Sequence, residues 1–235
     1  TAALWVSGDA AAATGGKAIA DWSVSGISID TRTLEPGDLF VALAGPNIDG
    51  HDFVDAALDA GAGAALVARA DVLADRPGLI VDDTLQAIER LGSAARGRAG
   101  AKIAAITGSV GKTGTKEALA HVLSGQGETG YSKSSLNNHW GVPLSAARLS
   151  ATAKYGVFEI GMNHPGEITP LVGLVRPHVA VVTAIASAHR AFFDSVEDIA
   201  RAKGEIFSCI DGGIAVINRD TEYFQLLGDM AKDGG

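Results

Sequence analysis

The passage that most limits what this chain can fold into runs from Lys102 to Thr113. Ile103-Ala104-Ala105-Ile106-Thr107 is apolar enough for a strand buried on both faces, and it breaks at Gly108 into Ser109-Val110-Gly111-Lys112-Thr113-Gly114. From Lys112 the spacing turns helical, through Lys116-Glu117-Ala118-Leu119-Ala120-His121-Val122-Leu123. A strand that passes through glycines into a helix exposes backbone N–H groups at the positive end of the helix, which is a cradle for phosphate. Lys112 can reach phosphate oxygens, and Thr113 can offer a hydroxyl to Mg²⁺. The expectation is a site for a nucleoside triphosphate. The spacing is shorter than the common form, because Ile106 stands where a first glycine is usual, leaving Gly-x-x-Gly-Lys-Thr. A match this short also arises by chance; the strand before it and the helix after it argue otherwise.

The rest of the chain alternates in the same style. Residues 24–29, 38–43, 64–68 and 79–81 read as short strands around a helix at 52–60, and a further helix spans 84–95. Arg96-Gly97-Arg98-Ala99-Gly100 then looks like a flexible junction. Beyond it, strands at 103–107, 156–160, 179–184 and 213–218 alternate with helices at 112–123, 167–175 and 196–210. Continuous apolar strands separated by amphipathic helices imply an α/β protein: a small α/β domain over residues 1–98, then a doubly wound, mostly parallel sheet over 99–235. In such sheets ligands gather at the carboxyl ends of the strands.

Composition excludes several classes of function. A net charge of −8, without clusters of Lys and Arg, argues against nucleic acid or an anionic membrane as partner. A single cysteine, Cys209, rules out an internal disulfide and points to a reducing compartment. The alanine-rich start lacks a basic leader, and no apolar run is long enough to span a bilayer, so no membrane insertion and a cytoplasmic location are expected.

Three residues and three short strings beyond the loop could carry chemistry. Glu159 closes the apolar run Val157-Phe158-Glu159-Ile160, where a carboxylate is either paired with a nearby cation or a ligand for Mg²⁺ on a second strand. Lys203 falls on the apolar stripe of Val196, Ile199, Ala200, Ile206, Phe207 and Ile210. It is either an edge lysine whose ammonium reaches water or a desolvated amine able to act as nucleophile or to take up CO₂ as a carbamate. His189 follows the strand at 179–184, on the same sheet edge, as polar surface or as a ligand. Asn137-Asn138-His139-Trp140-Gly141-Val142-Pro143 reads as a loop with turn chemistry. In the first domain, Asp30-Thr31-Arg32 and Asp49-Gly50-His51-Asp52 sit where donors can meet an anion or a ribose, with helix capping by Asp49 or Asp52 the equal alternative.

Taken together these strings resemble the Mur ligases. The resemblance rests on Asp30-Thr31-Arg32 with Gly37-Asp38-Leu39-Phe40-Val41-Ala42, on Asp49-Gly50-His51-Asp52-Phe53, on the glycine loop, and on Asn137-Asn138 with Gly141-Val142-Pro143. It rests further on Ala202-Lys203-Gly204-Glu205-Ile206-Phe207, on Ile217-Asn218-Arg219-Asp220 and, most specifically, on Gly161-Met162-Asn163-His164-Pro165-Gly166-Glu167-Ile168. Within the family, the last string is similar to the members that join D-alanyl-D-alanine to UDP-N-acetylmuramoyl-tripeptide. The resemblance implies an ATP-dependent amide ligase of peptidoglycan precursor synthesis, acting as a monomer through an acyl phosphate. Gly108, Ser109, Val110, Gly111, Lys112, Thr113, Gly114, Asn138 and Asn218 would hold ATP. Thr31, Arg32, Gly50, His51 and Asn137 would bind the UDP-linked substrate. Thr113 and Glu159 would hold Mg²⁺, with His189 and a carbamylated Lys203 at a second metal; Lys112, Glu159, His189 and Lys203 form the catalytic set.

Two departures accompany it. Arg190-Ala191 stands where the family usually has Leu-Glu, and family members carry a third, carboxyl-terminal domain, so the expectation is two domains of a three-domain enzyme, incomplete for turnover. The alternative is a nucleotide-binding module without ligase activity; a general P-loop hydrolase is more distant.

Overall fold

The apolar runs read as strands assemble into two five-stranded sheets, one in each of two units covering residues 1–94 and 95–235. The structure is a computed structural model that describes residues 3–187, 192–210 and 212–234.

The first unit contains β1 (Trp5–Val6), α1 (Ser7–Thr14), β2 (Lys17–Ile19), β3 (Ser23–Val24), β4 (Gly26–Ser28), β5 (Asp38–Val41), α2 (Val54–Asp59), β6 (Ala64–Val67), β7 (Gly78–Ile80) and the start of α3 (Thr84–Arg98). Its sheet has the order β2-β7-β6-β5-β4, parallel except for the β2–β7 pair. Every residue of β5 and β6 is buried, which is why these strands show no polar alternation: the sheet is covered on both faces there. Phe40, Val54, Ala57, Ala65, Val67 and Leu73 close one core. The run at 24–29 is split at Ser25, its first part pairing with β1 in a small antiparallel ribbon.

The second unit runs β8 (Lys102–Thr107), α4 (Lys112–Ser124), β9 (Thr129–Tyr131), α5 (Gly141–Ala147), β10 (Tyr155–Glu159), α6 (Ile168–Val175), β11 (Val179–Val182), α7 (Val196–Gly204), β12 (Ile214–Ile217) and α8 (Phe224–Asp233). All neighbours in the order β12-β11-β8-β10-β9 are parallel. Helix α4 packs on β8, β9 and β10, where Ile106, Ala120 and Val157 are buried together. From β8 the chain moves toward the β9 edge, whereas from β11 it moves to the opposite edge at β12. The direction therefore reverses between β8 and β11, and their carboxyl ends open the crevice in which such folds bind ligands.

Three expectations are corrected. The junction at 96–100 is not a loop: α3 continues to Arg98 because Ala95 and Ala99 are buried and Arg96 is tied down, its Nε donating to Val175 O (2.7 Å) and its Nη2 to Arg176 O (3.0 Å). Residues 137–143 are not all turn, since α5 begins at Gly141; its seven residues are all buried, so it has no polar face to reveal a helical period, and Pro143 sits in the first turn, where its missing N–H costs nothing. The helix expected to reach Ile210 ends at Gly204 and gives way to a 3₁₀ turn, Glu205–Phe207.

Arg96 caps the carbonyl end of α6, where Arg176 takes a left-handed conformation (φ 44°). Arg96→Ala leaves both carbonyls without their charged donor and is expected to destabilise the second unit by about 1–3 kcal/mol, read as a lowered urea midpoint. Arg96→Lys should recover only part of that loss, because one ammonium replaces a fork; full recovery would contradict the two-carbonyl account.

Candidate functional site

The glycine loop is shaped by backbone conformation and by the segment that follows β11. Gly108 has φ 146° and Gly111 φ 84°, angles that side-chain-bearing residues seldom adopt. A Cβ on Gly108 would run into Thr183 Oγ1. That hydroxyl donates to Val110 O (2.6 Å), while Ser109 N donates to Ala184 O (2.7 Å) and Ser109 Oγ makes two 3.0 Å bonds with the backbone of Ala186. The loop is thus fixed across the switch point before any ligand arrives. Lys112 Nζ folds back to donate to Gly108 O (2.8 Å).

Glu159 ends β10, next to β8, and is 1% exposed. Thr113 Oγ1 donates to its Oε2 (2.9 Å), Asn137 Nδ2 donates to its Oε1 (2.7 Å), and its own N–H donates to Ser132 Oγ (3.2 Å). Both readings of Glu159 meet in this geometry: Lys116 Nζ is 3.9 Å from Oε2, and a carboxylate lies beside a hydroxyl at the loop. Carboxylate plus hydroxyl is a hard-oxygen donor set that fits Mg²⁺, a cation usually held by one or two protein oxygens and completed by phosphate and water. Among the described residues no three His, Cys, Asp or Glu side chains form a metal cage.

Lys203 is 1% exposed on α7, so its ammonium does not reach out to water as an edge lysine does. Desolvation, reinforced by the positive charge of Lys112, brings its pKa down from 10.5 to about 8. A buried amine of that pKa is neutral often enough to be a nucleophile toward CO₂. His189 lies outside the described residues, as do Arg190 and Ala191.

The remaining expected residues divide. Asn218 lines a cavity of about 500 Å³ with Ile185, Ala186, Val196, Asp220 and Tyr223. It shares Ala186 with the glycine loop, and Asn218 Oδ1 accepts from Asp220 N (3.0 Å), leaving Nδ2 to donate to a ligand. Asn138 Oδ1 instead accepts from Gly141 N (2.9 Å), at the start of α5. In the first unit, Asp49 caps the 3₁₀ turn Gly50–Phe53, and the buried His51 spends both ring nitrogens on the fold, Nδ1 on Asp49 Oδ1 (2.6 Å) and Nε2 as acceptor from Ala68 N (2.9 Å). A Cβ on Gly50 would meet the backbone of Leu43 at 2.7 Å. Asp30 grips Arg32 in a two-pronged ion pair (2.6 Å), and this hydrogen-bonded guanidinium holds the carboxyl down at about 2; Arg32 stays exposed.

Sequence reasoning missed Lys116, Ser132, Thr183 and Glu205. Glu205 accepts from the N–H groups of Gly166 (2.6 Å), Ile168 (3.2 Å) and Thr169 (3.1 Å), tying the segment at 161–168 to the end of the Lys203 helix. The available signal was spacing: Lys116 lies one helical turn after Lys112, and Glu205 two residues after Lys203.

Residues 106–234 match the Mur ligase middle domain, and residues 23–96 match the Mur ligase family catalytic domain. The chain is 47% identical over 203 residues to the UDP-N-acetylmuramoyl-tripeptide–D-alanyl-D-alanine ligase of Escherichia coli K12, which covers 86% of this chain and 44% of that protein. A crystal structure of MurF from Acinetobacter baumannii superposes with a TM-score of 0.86 at 36% identity, covering 97% of this chain and 51% of that one. MurF ligase from Thermotoga maritima, solved in complex with ADP, gives 0.73 at 31% identity over 89% and 48%. The chain spans about half the length of the relatives it matches.

The burial of Lys203 makes a prediction with a definite sign. Above pH 10.5 the amine is neutral whether the chain is folded or not and costs nothing; as pH falls through about 8 the folded state must carry a buried charge. Lys203→Met should therefore gain stability relative to the parent as pH drops from 10.5 to 8, by roughly 3 kcal/mol in total. Urea titrations in CO₂-depleted buffer across that range measure it, and a difference independent of pH would refute the depressed pKa.

Proposed function

Because the chain belongs to the Mur ligase family, we propose that it supplies the UDP-substrate and ATP-handling parts of a ligase that joins D-alanyl-D-alanine to UDP-N-acetylmuramoyl-tripeptide in the cytoplasm. The observation that carries this reading is the meeting of the glycine loop, Thr113 and the buried Glu159 at the carboxyl ends of the adjacent strands β8 and β10.

In this reading the terminal carboxylate of the nucleotide-linked peptide takes the γ-phosphoryl group of ATP. The amine of D-alanyl-D-alanine then attacks the acyl phosphate, forming the amide and releasing phosphate. The loop amides from Gly108 to Thr113 take the phosphates, and Lys112 exchanges Gly108 O for a phosphate oxygen. Thr113 and Glu159 would hold Mg²⁺, which when bound would neutralise charge on the transferring group. Asn218 donates from Nδ2 to the base in the 500 Å³ cavity. A carbamate on Lys203 would replace a positive charge beside Lys112 with a negative one, relieving the repulsion that adds to desolvation in lowering its pKa, and would offer a ligand, together with His189, for a second cation. Thr31, the exposed Arg32 and the backbone at Gly50 face the UDP-linked substrate; the working form is a monomer.

Calorimetry with a non-hydrolysable ATP analogue tests the core of the proposal. Binding should strengthen when Mg²⁺ is added, and Lys112→Met should weaken it by roughly 10–100-fold through loss of a charged hydrogen-bond donor. Analogue binding indifferent to both changes would sink the reading. Separately, ¹³C-bicarbonate should give a carbamate resonance that Lys203→Met abolishes; a resonance surviving in the variant would place the carbamate elsewhere.

A further inference from the structure

The proposed chemistry leaves one buried charge unused. Lys116 is 0% exposed, on the inner side of α4 one turn beyond Lys112. Burying an ammonium is costly unless it is paired and hydrogen-bonded, so its partners show what it is held for. Nζ donates to Ser134 O (2.7 Å), lies 2.9 Å from Glu117 Oε1 and stands 3.9 Å from Glu159 Oε2. The shortest bond goes to a loop carbonyl, the second to the half-exposed Glu117 beside it, and the buried Glu159 carboxylate stays beyond hydrogen-bond distance.

That carbonyl belongs to a residue in a strained conformation. Ser134 has φ 52°, a left-handed angle that a non-glycine residue holds only where its surroundings impose it. The loop in which it sits grips Glu159 from two sides: Ser132 Oγ accepts the Glu159 N–H, and Asn137 Nδ2 donates to Oε1. Asn137 O in turn accepts from Gly161 N (2.7 Å), and a Cβ on Gly161 would meet Asn137 Oδ1 at 2.8 Å, so the amide has little room to turn.

We infer that Lys116 is a positioning residue: it fastens the loop after β9 to the helix of the glycine loop, so that Asn137 aims the Glu159 carboxylate at Thr113. It touches neither nucleotide nor the reacting atoms. This rests on the reading of Thr113 and Glu159 as the Mg²⁺ site and adds what presets that site's geometry. With Lys116 gone, Ser134 O loses its donor, the loop relaxes from its left-handed turn, and Asn137 no longer holds Oε1.

The test measures affinity for a non-hydrolysable ATP analogue, with and without Mg²⁺, in the parent, Lys116→Met, Asn137→Ala and the double variant, each first checked for a native circular dichroism spectrum. The Mg²⁺-dependent gain in affinity is expected to fall about tenfold in Lys116→Met, while the Mg²⁺-free affinity stays within twofold. The double variant should be no worse than the weaker single one, because both substitutions release the same carboxylate. Equal loss with and without Mg²⁺, an unchanged or increased Mg²⁺ gain, or strictly additive losses would each overturn the positioning role. If Lys116→Met does not fold, Lys116→Gln, which keeps a shorter uncharged donor, is held to the same three criteria. A parent protein without any Mg²⁺ dependence would overturn the functional reading and this inference together; a responsive parent with an unaffected variant overturns this inference alone.

Discussion

A carboxylate buried to 1% exposure at the end of a central strand is the constraint around which the second unit is built. Left alone, Glu159 would cost several kcal/mol of desolvation. The structure offsets that by bringing four side chains from two segments to it: Thr113 and, one turn later, Lys116 from the helix of the glycine loop, and Ser132 and Asn137 from the loop after β9. Each partner lies far from Glu159 in sequence, and Lys116, Asn137 and the backbone of Ser132 are held by further bonds. The sheet order makes this possible, since β10 lies between β8 and β9 and places Glu159 between the two loops that serve it.

The same economy governs the neighbouring charges. Lys112 rests on Gly108 O, Lys116 on Ser134 O, and Lys203 is desolvated beside Lys112. Lys112 and Lys203 close enough to repel, with Lys116 3.9 Å from the buried Glu159, concentrate positive charge here within a chain whose net charge is −8. In the proposed function a polyphosphate would supply the balancing charge for the loop and for lysines that repel one another.

Legibility differed from residue to residue for physical reasons. The strand at 103–107 and the helix after Lys112 were plain because each has a period imposed by what it buries. Glu159 stood out as the one charge in an apolar run. Helix α5 was hidden because burial on every side erases the period, and the continuation of α3 was hidden because Arg96, Gly97 and Arg98 resemble a linker until the carbonyls of Val175 and Arg176 are seen in front of Arg96. His51 looked like a ligand-facing residue, yet its ring serves Asp49 and Ala68 N, partners that only the closed fold supplies. At Lys203 helical arithmetic placed the residue on the apolar stripe but could not say whether its ammonium reached water.

What the sequence by itself determined is the class of architecture and the kind of ligand to expect: alternating buried strands and helices wind into mostly parallel α/β sheets, and a glycine turn with Lys112 and Thr113 has the amides, cation and hydroxyl that would suit phosphate. Those properties are local, set by residues within a turn or two of one another. The tertiary structure alone decided how the charges are matched. Whether Glu159 meets Thr113 or a stray lysine, whether Lys116 is solvated or sealed at 0% exposure, and which carbonyl it holds depend on the order in which strands pair and on water being excluded between segments that the chain keeps far apart.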